Sequence, residues 1–404
     1  AKEAMQAASC SVVTVDVSVH IDIACKHSNA SPAFRAATQA LSTWQWGSHR
    51  VACVHGSAPG GILAQWARVP PAASATQAVL VVEDDVVLAP GALVALASLW
   101  GSVARAPTTA TAGVSLHHLG YSAREGRHFD ASFCHSVVPM ANASGVSTYR
   151  SPVVSTWAFS PHPVAWGAFT RWLAARGIAS GADNSDTAPG HTYERGSHAL
   201  SEVRVNVSAL AAALTRAADT VHARQKRCLG GSCEQSAPYA SLLWGMEDIR
   251  GGRGHQIWSA AFHAFSVLSA GLADPAHTWA YETVYPCFPL APDGKSQVAA
   301  LHMKATGVHH SNPGAQTVPK GTQLLPATAA RLAKPVVTPG RTLDWFGGTV
   351  HPLLRQPANE ATPPASAPAS RRAAGATAPA GVPASTAFNR GAPGSLTTPS
   401  GAAM

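Results

Sequence analysis

Charge is scarce in this chain: only 12% of its 404 residues are Asp, Glu, Lys or Arg. The formal net charge is +8, but residues 331–404 hold seven Lys/Arg against two Asp/Glu, which leaves +3 for the first 330 positions. No dense basic run interleaved with aromatics occurs there. The electrostatic footprint of a nucleic-acid-binding surface is therefore missing, and no nucleic-acid partner is expected. Long apolar runs are missing too: no stretch of 18 uncharged apolar residues exists, so nothing reads as a membrane-spanning helix. The chain starts at Ala1 rather than Met, and the expectation is a signal or membrane anchor lost upstream of residue 1. Seven cysteines, at 10, 25, 53, 134, 228, 233 and 287, show no zinc-ligand spacing. Cys228-Leu-Gly-Gly-Ser-Cys233 has the spacing of a small disulfide loop, with isolated buried thiols as the equal alternative.

What is present is apolar sequence in a repeating order. The hydrophobic fraction is 46%, and the length suits one large domain or two ordinary ones. Residues 11–23 alternate apolar and β-branched positions with polar ones, which predicts a strand. Ser31-Pro32 then opens a helix over 32–46. His49–His55 reads as a second strand and Gly61–Val69 as a second helix. Ala78–Val82 is a continuous apolar run suited to a central parallel strand covered on both faces. It ends in Glu83-Asp84-Asp85, followed by an apolar helix to Trp100. Val114–Leu116 and Glu282–Phe288 read as strands; the helices are expected after Pro163 to Arg176, near 199–227, and at Ile257–Leu272. Strands alternating with helices predict an α/β sandwich with a mostly parallel sheet. From 361 to 404, 36 of 44 residues are Ala, Pro, Ser, Thr or Gly, a composition expected to be disordered.

Three carboxylates at the end of an apolar strand repel one another unless something neutralises them. A divalent cation shared with nucleotide phosphates would do so, since Mg²⁺ and Mn²⁺ take oxygen ligands. The alternative is an acidic turn that solubilises a strand end. In open α/β sheets ligands bind beyond the carboxyl ends of the strands, which is where this cluster falls.

The run VLVVEDDVVLAPGAL at 79–93 resembles the signature strand of GT-A-fold glycosyltransferases. Other segments are similar, in order, to a eukaryotic subgroup of nucleotide-diphospho-sugar transferases. These are His20-Ile21-Asp22, Trp44-Gln45-Trp46-Gly47, Gly60-Gly61 with Gln65-Trp66, Val114-Ser115-Leu116, Trp157–Pro161 with Trp166, Trp258, Val284–Pro289, and His302 with His309. The resemblance covers about residues 12–312, with an insertion at about 181–245. It departs from the family in having E-D-D rather than strict D-x-D.

The resemblance implies a GT-A-like three-layer sandwich over 10–330, a tail from 331, and a metal-dependent glycosyltransferase. Such an enzyme takes a sugar from a nucleotide-sugar donor, UDP-linked by preference, to a hydroxyl on a glycan, protein or lipid acceptor. Mn²⁺ or Mg²⁺ would be held by Asp85, with His309 (or His310) completing the shell. Asp84 would position the sugar or ribose, with Glu83 close behind, and Asp22 would face the nucleotide; an ordinary strand-end carboxylate is the equal alternative for Asp22. Asp248, with Glu247 beside it, is the candidate base for the acceptor hydroxyl; an acidic first turn of the next helix is the alternative. Arg250 and Arg253 could pair with the diphosphate. Trp166 and Trp172 read as core, and Trp157 as a surface on which an acceptor sugar could stack. The triplets Asn142-Ala-Ser144 and Asn206-Val-Ser208 fit a glycoprotein of the secretory pathway, in the Golgi lumen; Asn29-Ala-Ser31 is followed by Pro32, which makes it a poorer acceptor. The competing readings are a non-catalytic GT-A-fold protein that binds glycan or a partner, and a nucleotidyltransferase. The second is disfavoured because Ala24–Asn29 after the first strand supplies Lys26 but no glycine.

Overall fold

A computed structural model describes residues 15–44, 48–54, 61–69, 77–84, 86–105, 111–117, 147–152, 154, 158–180, 199–200, 202–228, 237–252, 258–270, 279–289, 292, 297–302, 322–323, 342–343 and 349–350. The chain divides into Ala1–Arg355 and Gln356–Met404. Every described residue belongs to the first unit, so the expectation for the 361–404 tail lies outside them.

The N-terminal third alternates as its sequence predicts. β1 (Asp16–Ala24) and β2 (Ser48–Val54) run parallel, with Asp16 opposite Ser48 and Ala24 opposite Val54. The crossover between them carries α1 (Pro32–Ser42). Its start is encoded locally: the Ser31 hydroxyl accepts the Phe34 N–H, and Pro32 occupies the first turn, where a missing N–H costs nothing. Because β1 and β2 end side by side, Cys25 and Cys53 come together and form a disulfide. Cys287 is also disulfide-bonded. Cys233 and the side chain of Cys228 lie outside the described residues. β8 (Ala199–Leu200) adds to β2 in parallel and completes a three-stranded sheet.

A second sheet has six strands: β4 (Thr111–Ser115), β5 (Ser147–Ser151), β6 (Phe159–Pro161), β10 (Glu282–Cys287), β14 (Thr342–Leu343) and β15 (Thr349–Val350). Their order is β15-β14-β5-β10-β4-β6. Outside it, β7 (Ala179–Ser180) pairs with β9 (Arg204–Val205) and β11 (Gln297–Val298) with β13 (Thr322–Gln323). The expectation of a mostly parallel central sheet is corrected here. β4/β10 and β5/β14 are parallel, whereas β4/β6, β5/β10 and β14/β15 are antiparallel. The architecture is α/β in the broad sense of helices packed with sheets that include parallel strands.

Two apolar clusters hold the unit together. One is built on α2 (Gly61–Ala67), α4 (Pro163–Ala175), α5 (Val207–Cys228), α6 (Ala237–Arg250) and α7 (Trp258–Ser269). α5 buries Leu210, Ala213, Leu214, Ala217, Ala218 and Val221, the one-sided spacing of an amphipathic helix. The segment read as an insertion thus supplies part of the core. α7 is buried at every position from Trp258 to Val267, as suits a helix enclosed by others. Gly245 of α6 lies close enough to α7 that a methyl there would come 2.8 Å from the Ala260 Cβ. α4 ends in a Schellman motif: Gly177 has φ +62°, its N–H reaches the Ala174 carbonyl, and the Ile178 N–H reaches Leu173. Ile178 and Leu173 are both fully buried, the apolar contact that accompanies this cap. The second cluster joins α3 (Ala92–Arg105), through Ala92, Ala95, Leu96, Leu99 and Val103, to Val114, Val284 and Phe288 of the six-stranded sheet region.

Candidate functional site

The apolar run before the acidic cluster is not the regular parallel strand expected. It makes one antiparallel bridge, in which Val81 and Phe159 exchange N–H···O bonds of 2.9 and 3.1 Å. The pairing is limited by the partner's length, because β6 has only three residues. The run nevertheless alternates as an extended segment must. Val79 and Val81 pack on the first cluster and Leu80 on the second. The Ser160 hydroxyl donates to the Val79 carbonyl at 2.6 Å and accepts the Trp100 indole N–H at 2.9 Å, which pins the run to β6 and α3.

Beyond Val82, which is exposed, the chain turns, with the Val86 N–H on the Glu83 carbonyl at 3.1 Å. Glu83 is half-buried and Asp84 is exposed at this turn. Asp85 lies outside the described residues. β3 (Val86–Leu88) then pairs antiparallel with β12 (Ala300–His302), with His302 opposite Val86. A histidine from late in the chain is thus in register with the residue that directly follows Asp85. The junction is anchored by buried His117, whose Nδ1 donates to the Ala300 carbonyl at 2.9 Å, and by Ala89 N–H on Ala299 at 2.9 Å. His309 and His310 lie outside the described residues.

Asp22 is engaged at the end of β1. Its carboxylate accepts the Gly61 N–H at 2.8 Å and the Gln65 side-chain amide at 2.9 Å, so it closes the start of α2. Arg68, one residue beyond α2, is buried beside it. Burial pulls that guanidinium below its ordinary value, while the Asp22 and Glu202 carboxylates act in the opposite direction. Burial, with Arg50 and Arg68 nearby, also lowers the His20 pKa to about 4, so this imidazole is neutral at neutral pH. The sequence marked Asp22, Gly61 and Gln65 but missed Arg68; its one signal was a cation placed directly after an apolar helix.

Glu247, Asp248 and Arg250 fall in the last turn of α6, ahead of α7 and not in its first turn. The Gly251 N–H bonds back to the Glu247 carbonyl at 2.9 Å and ends that helix. Glu247 and Arg250 are exposed, Asp248 half-buried. α6 packs on α5 and α7, whereas the Glu83 turn adjoins β12. Arg253 and Trp157 lie outside the described residues.

Aromatic residues from three distant segments meet in one place. Trp66 stacks on Trp258 at 3.8 Å and lies 5.9 Å from Trp166 and 6.3 Å from Phe159. Trp166 is fully buried, with its indole N–H on the Val69 carbonyl at 3.0 Å, and is core as its spacing predicts; Trp172 packs against the same cluster.

Among the described residues no three His, Cys, Asp or Glu side chains are grouped to hold an ion. Glu83 and Asp84 supply hard oxygen donors, the type that Mg²⁺ and Mn²⁺ accept one or two at a time when phosphates complete the shell. Among the described residues no helix is long and apolar enough to cross a membrane. Compared with family models, curated proteins and solved structures, the chain matches none.

Proposed function

We propose that the chain is a metal-dependent glycosyltransferase of the GT-A type, acting on a nucleotide sugar. The observation that carries this reading is the pairing of β3 with β12. It aligns His302 with Val86, so an acidic turn and a histidine-bearing strand more than 200 residues apart meet at one edge. The convergence of Trp66, Phe159, Trp166 and Trp258, all within segments that resemble the family, supports it as well. In this reading Asp85, with His309, would hold Mn²⁺ or Mg²⁺ together with the donor diphosphate, and Asp84, with Glu83 close behind, would position the sugar or ribose. The cation, when bound, stabilises the charge that develops on the leaving diphosphate. Asp248, with Glu247 as its neighbour, would take the acceptor proton, and Arg250 would meet phosphate oxygens. Disulfides involving Cys25, Cys53 and Cys287 suit a lumenal compartment of the secretory pathway.

A second reading, a non-catalytic protein of the same fold that binds a glycan or a partner, is favoured by Asp22. Its carboxylate already serves Gly61 and Gln65, which is a structural task. Release of nucleotide from a panel of nucleotide sugars, with Mn²⁺ and with chelator, separates the two. Metal-dependent turnover of one donor, abolished by Asp85→Ala, is the expected result. Absence of turnover across the panel, with the disulfide-bonded protein folded, would leave the binding reading in its place.

A further inference from the structure

Two N-x-Ser triplets fall within the described residues, and the fold treats them differently. Asn29 lies in a tight helical turn over Cys25–Ala30, where its carbonyl accepts the Arg35 guanidinium at 2.6 Å. The hydroxyl of its Ser31 is used as the N-cap of α1, and Pro32 follows. That triplet is built into the start of a helix.

Asn206 stands immediately before α5 and is exposed, as is Ser208. Its backbone N–H donates to the Ile178 carbonyl at 2.7 Å. Its side-chain Oδ1 accepts the Ala209 N–H at 3.1 Å. An N–H donor fixes which end of the amide faces the helix: the oxygen does. The amide is planar, so Nδ2 is directed away from the helix end. The outward face of α5 beyond it presents Ala212, Thr215, Arg216 and Asp219, all exposed.

We propose that Asn206 carries an N-linked glycan, an inference that rests on the lumenal reading above. Asn206 Nδ2 attacks the anomeric carbon of an oligosaccharide held on a polyprenyl diphosphate. The N–C bond forms as the C–O bond to the diphosphate breaks; the polyprenyl diphosphate leaves, and the Nδ2 proton passes to a base of the transferring enzyme. Oδ1 remains a carbonyl oxygen throughout, so the modified residue still accepts the Ala209 N–H and α5 keeps its cap. The sugar extends from an exposed position and displaces no buried group.

The test uses the full chain secreted from eukaryotic cells, with the disulfides mapped by mass spectrometry of unreduced peptides. Peptide N-glycosidase in H₂¹⁸O is expected to convert Asn206 to labelled Asp. Ser208→Ala removes the sequon hydroxyl and leaves the cap residue. Asn206→Asp removes the nucleophile and keeps an oxygen for Ala209. Both variants are expected to lose the label completely and to keep the parent's thermal midpoint. A mapped Cys25–Cys53 bridge with unlabelled Asn206 overturns the site but leaves the lumenal reading. Unlabelled Asn206 with Cys25 and Cys53 both reduced overturns the two together.

Discussion

Gly113→Ala is the substitution that most directly loads the contact behind the acidic turn. Gly113 lies in β4 opposite Pro161 of β6. A methyl group there would come 2.3 Å from the Ser160 carbonyl oxygen and 2.6 and 2.8 Å from two Phe159 ring atoms. Backbone is among the groups struck, so a side-chain rotation cannot relieve the overlap. Overpacking of this kind costs about 1–3 kcal/mol. Parting β4 from β6 also strains the two Val81–Phe159 bonds, each worth about 1 kcal/mol. The expected loss is therefore about 3–5 kcal/mol, a large share of a typical domain's stability. Gly101→Ala in α3 is the matched control, because a methyl there meets nothing within 4 Å. It is expected to gain about 0.5–1 kcal/mol from the lower entropy of the unfolded chain. Urea unfolding followed by tryptophan fluorescence gives both values from the shift in midpoint at constant slope. A Gly113→Ala protein within about 0.5 kcal/mol of the parent would refute the close approach of β6 to β4.

Buried His263 accepts the Val154 N–H at 2.9 Å, and burial lowers its pKa from 6.5 to about 4. The unfolded chain binds the proton first, so this contribution is complete above the unfolded value and is lost as pH falls towards the folded one. The loss amounts to about 3 kcal/mol. Thermal midpoints across that window are expected to fall less steeply for His263→Gln, which keeps an acceptor without titrating; equal slopes would contradict the assignment. Removing the Cys25–Cys53 bridge, which spans 28 residues, is expected to cost about 3.5 kcal/mol by the chain-entropy relation, and a double Ser variant as stable as the parent would exclude it. Asp22→Ala removes the acceptor for Gly61 and Gln65 and the carboxylate beside Arg68. It is expected to lower stability by about 2–4 kcal/mol; an unchanged unfolding midpoint would contradict its place at the start of α2.

Helices were legible wherever one apolar stripe and a local cap coincide. Ser31-Pro32 and Pro163 mark starts, and the spacing of Phe169, Leu173 and Trp166 marks a buried face. Features made by distant partners were not. The Cys25–Cys53 pairing follows from the parallel register of β1 and β2, which no cysteine spacing encodes. The contacts of Asp22 come from residues 39 and 43 positions away. Ala78–Val82 has the composition of a central strand, but strand neighbours are a property of topology, and its one bridge is to the short β6. The helix that carries Glu247-Asp248 was not legible, because Ala237–Leu243 gives little sign of one; α6 begins there and ends just after the carboxylates.

The proposed activity requires that the Glu83-Asp84-Asp85 cluster bind a nucleotide diphosphate through a divalent cation. Calorimetric titration of UDP into the disulfide-bonded protein, with Mn²⁺ and with chelator, tests it without knowledge of sugar or acceptor. The expected result is saturable binding that requires Mn²⁺ and is lost in Asp85→Ala, while the variant's urea midpoint stays with the parent's. UDP binding that persists in chelator and in Asp85→Ala, or no UDP binding by the folded protein with Mn²⁺, would contradict it.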